Sequence, residues 1–343
     1  MRPTIRDVAM EAKCSITAVS LVLNGKGSNI SAETQSRVFD AVKRLNYQPN
    51  KFASLLVTKK SNIIGLVIPD NCNPFFASVL KCAEHQADFA GYRIITGNSN
   101  NNASKDIAYI NTFMSYCVDG ILIAKASATI EDDDERLANL ISSLSIPVVC
   151  IDRKIANLDI PVYAVNNTQG GCLATEHLIK MGHKRIGYYT YPLTISTAIQ
   201  RLNGYRQALE NAGIQYDPEL VYEADYSFSE SAPVLEYYEK RGVTAVFAHN
   251  DSLALELYKY ARMAGRRIPD DLSIVGFDDS DYGAVVSPGL TTIHQPLEDL
   301  TKKAIEHLIN EIDSGTSRLT DNQASEVVFE PSLVIRESVL KLE

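Results

Sequence analysis

The stretch 4–24 constrains the fold most, because it has the pattern of two short helices joined by a tight turn. Thr4 can cap the first helix, with Asp7 three residues later at the position of a capping-box acid. Ser15 supplies a second cap, and the run after it alternates buried apolar positions with a polar outer face. This pattern is typical of a helix-turn-helix unit, although a plain helical hairpin would give the same pattern.

Charge separates this stretch from the rest of the chain. Residues 1–60 contain ten Lys or Arg and four Asp or Glu, a balance of +6, whereas the whole chain carries −9. Residues 61–343 therefore carry −15. A basic unit on an acidic body is typical of a nucleic-acid-binding arm, because phosphate neutralisation releases counterions. We expect only the first sixty residues to contact DNA, since the acidic remainder would be repelled.

A third helix follows, with Ser31 as its cap and Asn46 as a left-handed stop. Three helices over residues 1–49 form a headpiece near the lower size limit for an independent core. Residues 50–60 are apolar and then basic. They form either a plain linker or a short hinge helix that is stable only with DNA and a second copy.

From residue 61 the pattern changes to alternating strands and helices. The near-continuous apolar run 63–70 is typical of a parallel strand buried on both faces. The repeated alternation predicts an α/β core of two doubly wound parallel-sheet lobes. We assign the core as an N-lobe of 61–161 with 293–322, and a C-lobe of 162–292 with 323–343. Ligands of such sheets bind outside the carboxyl ends of the strands, so the cleft between the lobes is the expected site.

Several classes of protein are disfavoured by the sequence. It contains no apolar run of membrane-spanning length and does not open with a signal peptide, which predicts a cytoplasmic protein without membrane contact. Six scattered cysteines without a CxxC pair indicate reduced thiols. The six histidines lack metal-ligand spacing such as HExxH. We therefore predict no catalytic residues, no metal and no cofactor; the principal alternative is a solute-binding protein.

The chain resembles the lac/galactose repressor family of bacterial transcription regulators along essentially its whole length. The resemblance rests on motifs in order: TIRDVAMEA, SLVLNG, NYQPN, IGLVIPDNCNPFF, DGILI, PVVCIDR, HLIKMGHKRIGY, RLNGYRQAL, FAHNDSLALE, PDDLSIVGFDDS, LTTIHQP and PSLVIRES. It implies a helix-turn-helix headpiece, a hinge helix and a periplasmic-binding-protein-like core. It also implies a homodimer that represses by binding a palindromic double-stranded DNA operator. The implied effector is a sugar or related small metabolite; control by a protein co-effector is a narrower alternative.

The resemblance also assigns DNA contacts residue by residue. Base-reading positions are Ile16, Thr17 and Leu21, and phosphate contacts are Ser15, Ser20 and Asn24. In the hinge, Leu56 is implied as an apolar wedge between base pairs in the minor groove, with a core leucine at the headpiece–body junction as the alternative. The full implied set is Thr4, Ser15, Ile16, Thr17, Ser20, Leu21, Asn24, Tyr47, Asn50, Ala53 and Leu56.

Two headpiece positions depart from the family. Leu21 stands where many relatives have an arginine suited to guanine, so we predict apolar contact with thymine methyl groups and a larger role for DNA deformability. Lys13 replaces the glycine that is usual in the turn, which predicts a strained or differently shaped turn.

The implied effector contacts are Asn73, Phe75, Phe76, Asp152, Arg153, Asn250, Asp278 and Gln295. Aromatic faces with paired donors and acceptors suit a sugar. However, Ile199 stands where many sugar-binding relatives have an arginine, and Asn166 replaces the aspartate of the family's V-x-x-D-N motif. Loss of the bidentate donor weakens the case for a sugar or sugar phosphate. If no small ligand binds tightly, the two aspartates of the set act only as capping or interdomain residues.

Overall fold

The computed structural model of the protein describes residues 3–25, 27–48, 60–127, 131–224, 233–315 and 326–342. The chain divides into two compact units, Met1–Ser61 and Asn62–Glu343, which we describe separately. The predicted hinge contacts Asn50, Ala53 and Leu56 lie outside the described residues.

The N-terminal unit contains three helices, α1 (Ile5–Glu11), α2 (Ile16–Leu23) and α3 (Ala32–Arg44). The predicted caps form: Ser15 Oγ accepts from the Ala18 amide at 3.1 Å, and Ser31 Oγ accepts from the Thr34 amide at 3.4 Å. The three helices share one small core, formed by Val8, Ala9, Ala12, Val19, Val22, Val38, Ala41 and Tyr47. Burial of this narrow apolar stripe leaves the other faces of the helices for solvent or a ligand.

The second unit alternates strands and helices throughout. Its first part comprises β1 (Ile63–Ile68), α4 (Pro74–Phe89), β2 (Arg93–Asn98), α5 (Ala103–Ser115), β3 (Gly120–Ile123), α6 (Glu131–Ser142), β4 (Val148–Ile151) and β5 (Val162–Val165). Next come α7 (Asn167–Lys180), β6 (Ile186–Thr190), α8 (Ser196–Asn211), β7 (Val221–Glu223), α9 (Pro233–Lys240), β8 (Ala245–Ala248), α10 (Asp251–Met263), β9 (Ser273–Val275) and α11 (Asp281–Val285). The last elements are β10 (Thr292–His294), α12 (Leu297–Ser314), β11 (Glu326–Phe329) and β12 (Ser332–Val334).

Two parallel sheets organise this unit into two lobes, as predicted. The first lobe contains a six-stranded sheet in the order β11-β5-β4-β3-β1-β2, and the second a four-stranded sheet in the order β7-β6-β8-β9. All pairs within both sheets are parallel. The short strands β10 and β12 pair antiparallel as a separate ladder. Helix α12 packs on the first sheet, since Leu300, Ala304 and Leu308 share a core with Ile64 and Leu122.

The predicted lobe boundaries are wrong for β5 and β11, and the boundary before residue 293 falls inside β10, which bridges to the second sheet. β5 was placed in the C-lobe but pairs with β4, and β11 was placed there as well but pairs with β5. The physical reason is that β5 is buried along its whole length and lies between β4 and β11 inside the first sheet. The alternation of strands and helices does not encode this, because a strand has the same pattern in either sheet.

Consequently, the chain crosses between the lobes directly after β5, between β10 and α12, and between β11 and β12. Asn166 ties two of these crossings together, because its Nδ2 donates to the Glu330 carboxylate at 3.2 Å and its amide donates to Phe329 O at 2.9 Å. Its Oδ1 also caps α7 by accepting from the Gln169 amide at 3.0 Å. Within the described residues, no helix is both long and apolar enough to cross a membrane.

Candidate nucleic-acid interface and ligand cleft

Two hydrogen bonds from Thr4 to the Asp7 carboxylate fix the start of α1. The Thr4 amide donates to Asp7 Oδ2 at 2.7 Å, and the Thr4 hydroxyl donates to the same oxygen at 2.8 Å. These bonds hold the pKa of Asp7 below its ordinary value, the amide contributing most. The predicted capping box of Thr4 and Asp7 is confirmed, since the Asp7 side chain accepts from the Thr4 amide and the Thr4 side chain accepts from the Asp7 amide.

Helix α2 presents the outer face that the sequence predicts. Val19 and Val22 are buried, whereas Ile16 is 44% and Leu21 37% exposed. Thr17 is also exposed and lies between them along the helix. Exposed apolar side chains beside a hydroxyl are suited to the methyl groups and acceptors of A·T base pairs in a major groove.

The other predicted DNA contacts of this unit differ in accessibility. Asn24 is exposed and Ser20 half-buried, and the Asn24 Nδ2 donates to Ser20 Oγ at 3.3 Å. Tyr47 is 9% exposed and packs in the core of the unit, and this burial raises the pKa of its hydroxyl. The turn before α2 is left-handed at Lys13, with φ +51°.

In the first lobe, the start of α4 forms one wall of the cleft. Asn73 caps this helix, since its Oδ1 accepts from the Phe75 amide at 3.0 Å. Phe75 and Phe76 are buried, with ring centroids 5.0 Å apart and planes at 82°. The cap therefore uses one acceptor of Asn73 and fixes the edge-to-face aromatic pair that follows it.

The end of β4 adds two charged groups to the same wall. Asp152 has φ +70°, and its Oδ2 lies 3.2 Å from the Arg153 Nε. The Arg153 Nη1 donates to Ser127 Oγ at 2.6 Å, and its guanidinium carbon lies 5.7 Å from the centre of the Phe76 ring. Burial raises the pKa of Asp152, while Arg153 and Arg201 oppose that rise.

Arg201 is the central cation of the second lobe, and the sequence analysis missed it. Its Nε donates to Asn167 Oδ1 at 2.8 Å, and its Nη1 donates to the His249 carbonyl oxygen at 2.6 Å. Its guanidinium carbon lies 3.6 Å from the centre of the Phe277 ring, and the residue is 4% exposed. His249 is buried as well, and its burial together with the charges of Arg201 and Arg153 holds its pKa well below the ordinary value.

The inference that Ile199 replaces a ligand-binding arginine, leaving the cleft without that bidentate donor, is therefore wrong. Ile199, which was read as the missing arginine, is 41% exposed on α8, whereas Arg201 faces inward. The signal that could have located it is its position between Ala198 and Tyr205, three residues after one and four before the other. These spacings put all three on one helix face, and the two neighbours are buried.

Close packing of two helices fixes Arg201 in place. A Cβ atom added at Gly204 of α8 would overlap the Thr168 carbonyl oxygen of α7. One added at Gly171 of α7 would overlap the Arg201 carbonyl oxygen. The two backbones therefore approach at van der Waals distance, which only glycine at both positions permits.

Asp278 and Gln295 complete the second wall. The Gln295 Nε2 donates to Asp278 Oδ1 at 2.6 Å, and Arg201 Nη2 lies 4.0 Å from the same oxygen. Burial raises the pKa of Asp278 to about 8, although Arg201 acts in the opposite direction. The Gln295 Oε1 is buried and has no hydrogen-bond partner within the described part of the chain. An acceptor left unpaired in a cleft is suited to a ligand hydroxyl or amine.

The structure thus brings Asp152, Arg153, Asp278 and Gln295 to one region together with Arg201. Asn250 is buried next to His249, whose carbonyl oxygen accepts from Arg201, and its Oδ1 caps α10 by accepting from the Leu253 amide at 3.0 Å. A cavity of about 620 Å³ is lined from the first lobe by residues that include Phe75, and from the second lobe by residues that include Asp278 and Gln295. The described residues contain no cluster of three or more His, Cys, Asp or Glu able to hold a metal ion.

Comparison with known proteins gives two domain matches. The family described as "Bacterial regulatory proteins, lacI family" matches residues 4–50, and the "Periplasmic binding protein-like domain" matches residues 175–339. The chain is 36% identical over 312 residues to the ribose operon repressor of Halalkalibacterium halodurans, with 90% of each chain covered.

Solved structures of regulators from the same family are also similar to this chain. The chain is similar to the lac repressor dimer bound to operator, with a TM-score of 0.84, 25% identity, and coverage of 99% of this chain and 100% of that one. It is also similar to a LacI family regulator from Enterococcus faecium with bound ribose, with a TM-score of 0.70 and 27% identity. That match covers 82% of this chain and 100% of the other.

Proposed function

The chain belongs to the lacI family of bacterial regulatory proteins, as its motifs predicted, and on that premise we propose the function of its two units. It is a transcriptional repressor that binds a palindromic DNA operator as a homodimer in the bacterial cytoplasm. A sugar bound in the cleft between the core lobes modulates this binding. The relatives reported above are regulators, which disfavours both an enzyme and a solute-binding protein without a role in transcription.

The observation that supports the proposed DNA binding is the exposed face of α2. Ile16, Thr17 and Leu21 project from a helix that is capped at its start and anchored by a buried stripe. This face belongs to residues 1–60, which carry a net charge of +6 in a chain whose net charge is −9. Base contacts from the side chains and phosphate contacts from the surrounding cations together give specific binding.

Selection of bound sites from random DNA by the full-length protein tests this half. We expect a palindrome with A·T pairs at the positions that α2 reads, because Ile16 and Leu21 contact thymine methyl groups. Affinity for the selected site should fall steeply with salt concentration. Failure to enrich any sequence would contradict the proposal, and enrichment of guanine at those positions would contradict the base assignment.

The sugar half is supported by the buried groups of the cleft. Two guanidinium groups and two carboxyl groups form one cluster with Gln295, whose Oε1 has no partner among the described residues. The Arg153 guanidinium of this cluster lies against the Phe76 ring, and Phe75 lines a cavity together with Asp278 and Gln295. Such alternating donors and acceptors with an aromatic face are suited to a polyhydroxylated ligand. The ribose operon repressor and the ribose-bound regulator described above make pentoses the first compounds to test.

A thermal-shift screen of pentoses, hexoses and nucleobases, followed by calorimetry, tests this half. We expect a sugar to bind the wild-type protein, and Arg201→Met to abolish binding while Ile199→Met, on the same helix but exposed, preserves it. If no sugar binds, or if Arg201→Met binds as tightly as wild type, the cleft has another occupant.

For regulation, the ligand must have different affinities for two arrangements of the lobes. The crossings near Asn166, Gln295 and Glu330 are where these arrangements would interconvert. We propose that the lobe arrangement determines whether residues 50–60 of two copies pair in the minor groove, and so whether the operator is held.

A further inference from the structure

The turn between α1 and α2 places a lysine in a conformation that lysine rarely adopts. Lys13 has φ +51°. Its amide donates to Met10 O at 3.2 Å, and the Cys14 amide donates to Ala9 O at 3.0 Å. These two bonds define a Schellman turn, in which this position is left-handed and is usually glycine. A Cβ atom makes the left-handed conformation unfavourable, so lysine destabilises the turn relative to glycine.

The surrounding residues require the turn but not the lysine. Cys14 packs against the core of the unit, and Ser15 caps α2 immediately afterwards, so the chain must reverse at position 13. Helix α3 ends with the same kind of turn at Asn46, with φ +47° and the Tyr47 amide donating to Val42 O at 2.9 Å. There the left-handed position carries asparagine, which tolerates it.

The side chain of Lys13 makes no contact within the described part of the protein that would offset the cost of its left-handed backbone. It is exposed, and it forms no hydrogen bond or ion pair with the described part of the chain. Arg44 of the same unit, in contrast, lies 3.2 Å from Glu11. Strained backbone positions are concentrated at functional sites, where the side chain is needed for a ligand.

The location of Lys13 identifies that ligand. It lies three residues before Ile16, the first residue of the helix whose outer face reads bases. In helix-turn-helix docking the start of the second helix faces base edges while the first helix crosses the DNA backbone, so the turn lies over phosphates. We propose that Lys13 is an additional DNA contact, whose ammonium group neutralises a backbone phosphate of the operator; this rests on the proposed DNA-binding function.

The test measures affinity against potassium chloride concentration for full-length protein and two probes. One is a duplex with the palindrome selected by the wild-type protein, and the other is a random-sequence duplex of equal length. Lys13→Asn removes the charge but tolerates the left-handed turn, Lys13→Arg keeps the charge, and Asn46→Gly is the matched control at the other turn. Thermal unfolding of each variant verifies that the headpiece is folded.

We expect Lys13→Asn to weaken binding to both duplexes by a similar factor without lowering the Tm of the protein. The log–log salt dependence should become shallower by about 1.8 for a dimer, at about 0.9 for each lost phosphate contact. Lys13→Arg and Asn46→Gly should retain the wild-type slope. An unchanged slope for Lys13→Asn would overturn the assignment, and so would a loss confined to the selected palindrome. Absence of salt-dependent DNA binding by the wild-type protein would instead overturn the proposed function itself.

Discussion

Arg201 Nη2 lies 4.0 Å from Asp278 Oδ1, and neither side chain is more than 8% exposed. The two residues come from different elements of the second lobe, α8 and the loop after β9. Their approach depends on the close contact of α7 and α8 at Gly171 and Gly204. Burying two ionisable side chains at a cleft is costly to desolvate, and here burial raises the pKa of Asp278 to about 8. This cost favours a role in ligand binding over one in stability.

Asp278 gives a pH-dependent prediction. Because its pKa is raised to about 8 from an ordinary value of 3.8, its stabilising contribution is present in acid and is lost as the pH rises through 8. Asp278→Asn removes this titration. The free energy of unfolding of the variant, measured in urea, should therefore improve relative to wild type between about pH 4 and pH 8. A constant difference over that range would show that Asp278 titrates normally.

Helix packing gives a second prediction. Gly204→Ala should destabilise the core by about 1–3 kcal/mol or more, because the new Cβ overlaps the backbone of α7. Gly283→Ala is the control, since its Cβ would meet neighbours at an ordinary 3.5 Å. Chemical denaturation of the two variants measures the difference. Equal stabilities would mean that α7 and α8 pack less closely than described.

The two serine caps of the N-terminal unit can be separated by function. Ser15→Ala and Ser31→Ala should each cost about 1 kcal/mol of headpiece stability, because each removes an acceptor for a helix amide. Only Ser15→Ala should weaken operator binding further, since Ser15 is also a proposed phosphate contact. Thermal unfolding and operator titrations of both variants measure this. If both lower affinity equally, the loss reflects folding alone.

Base specificity should change at Leu21. Leu21→Arg places a bidentate donor on the exposed face of α2, which should shift the selected site toward guanine by about 1–3 kcal/mol at one position of each half-site. Sites selected from random DNA by the variant and by wild type are to be compared. Identical preferences would mean that this face of α2 does not read bases.

The features that depend on neighbouring residues could be predicted from sequence. The capping box of Thr4 and Asp7, the caps Ser15 and Ser31, and the left-handed Asn46 each depend on residues a few positions apart, and all are found as predicted. Such features are determined by local backbone chemistry, which the sequence states directly.

The errors arose where distant segments meet. β11 joins the first sheet by pairing with β5, more than a hundred residues earlier in the chain. β5 pairs with the nearby β4, but its apolar pattern would fit either sheet. Arg201 was missed because the family alignment was shifted by two residues, so that Ile199 was matched to the family's arginine. The helical face that Arg201 shares with Ala198 and Tyr205 would have identified it. The bond between Gln295 and Asp278 likewise joins two segments whose proximity no local pattern indicates.

The most direct test of the account is the coupling between its two proposed ligands. Calorimetry of the full-length protein would give the affinity for the sugar found by screening, with and without saturating operator duplex, and the affinity for the duplex with and without the sugar. We predict that both affinities change by the same factor, about 5- to 150-fold, as linkage requires. If each ligand binds but neither alters the affinity of the other, the cleft does not control the DNA-binding unit and the account is contradicted.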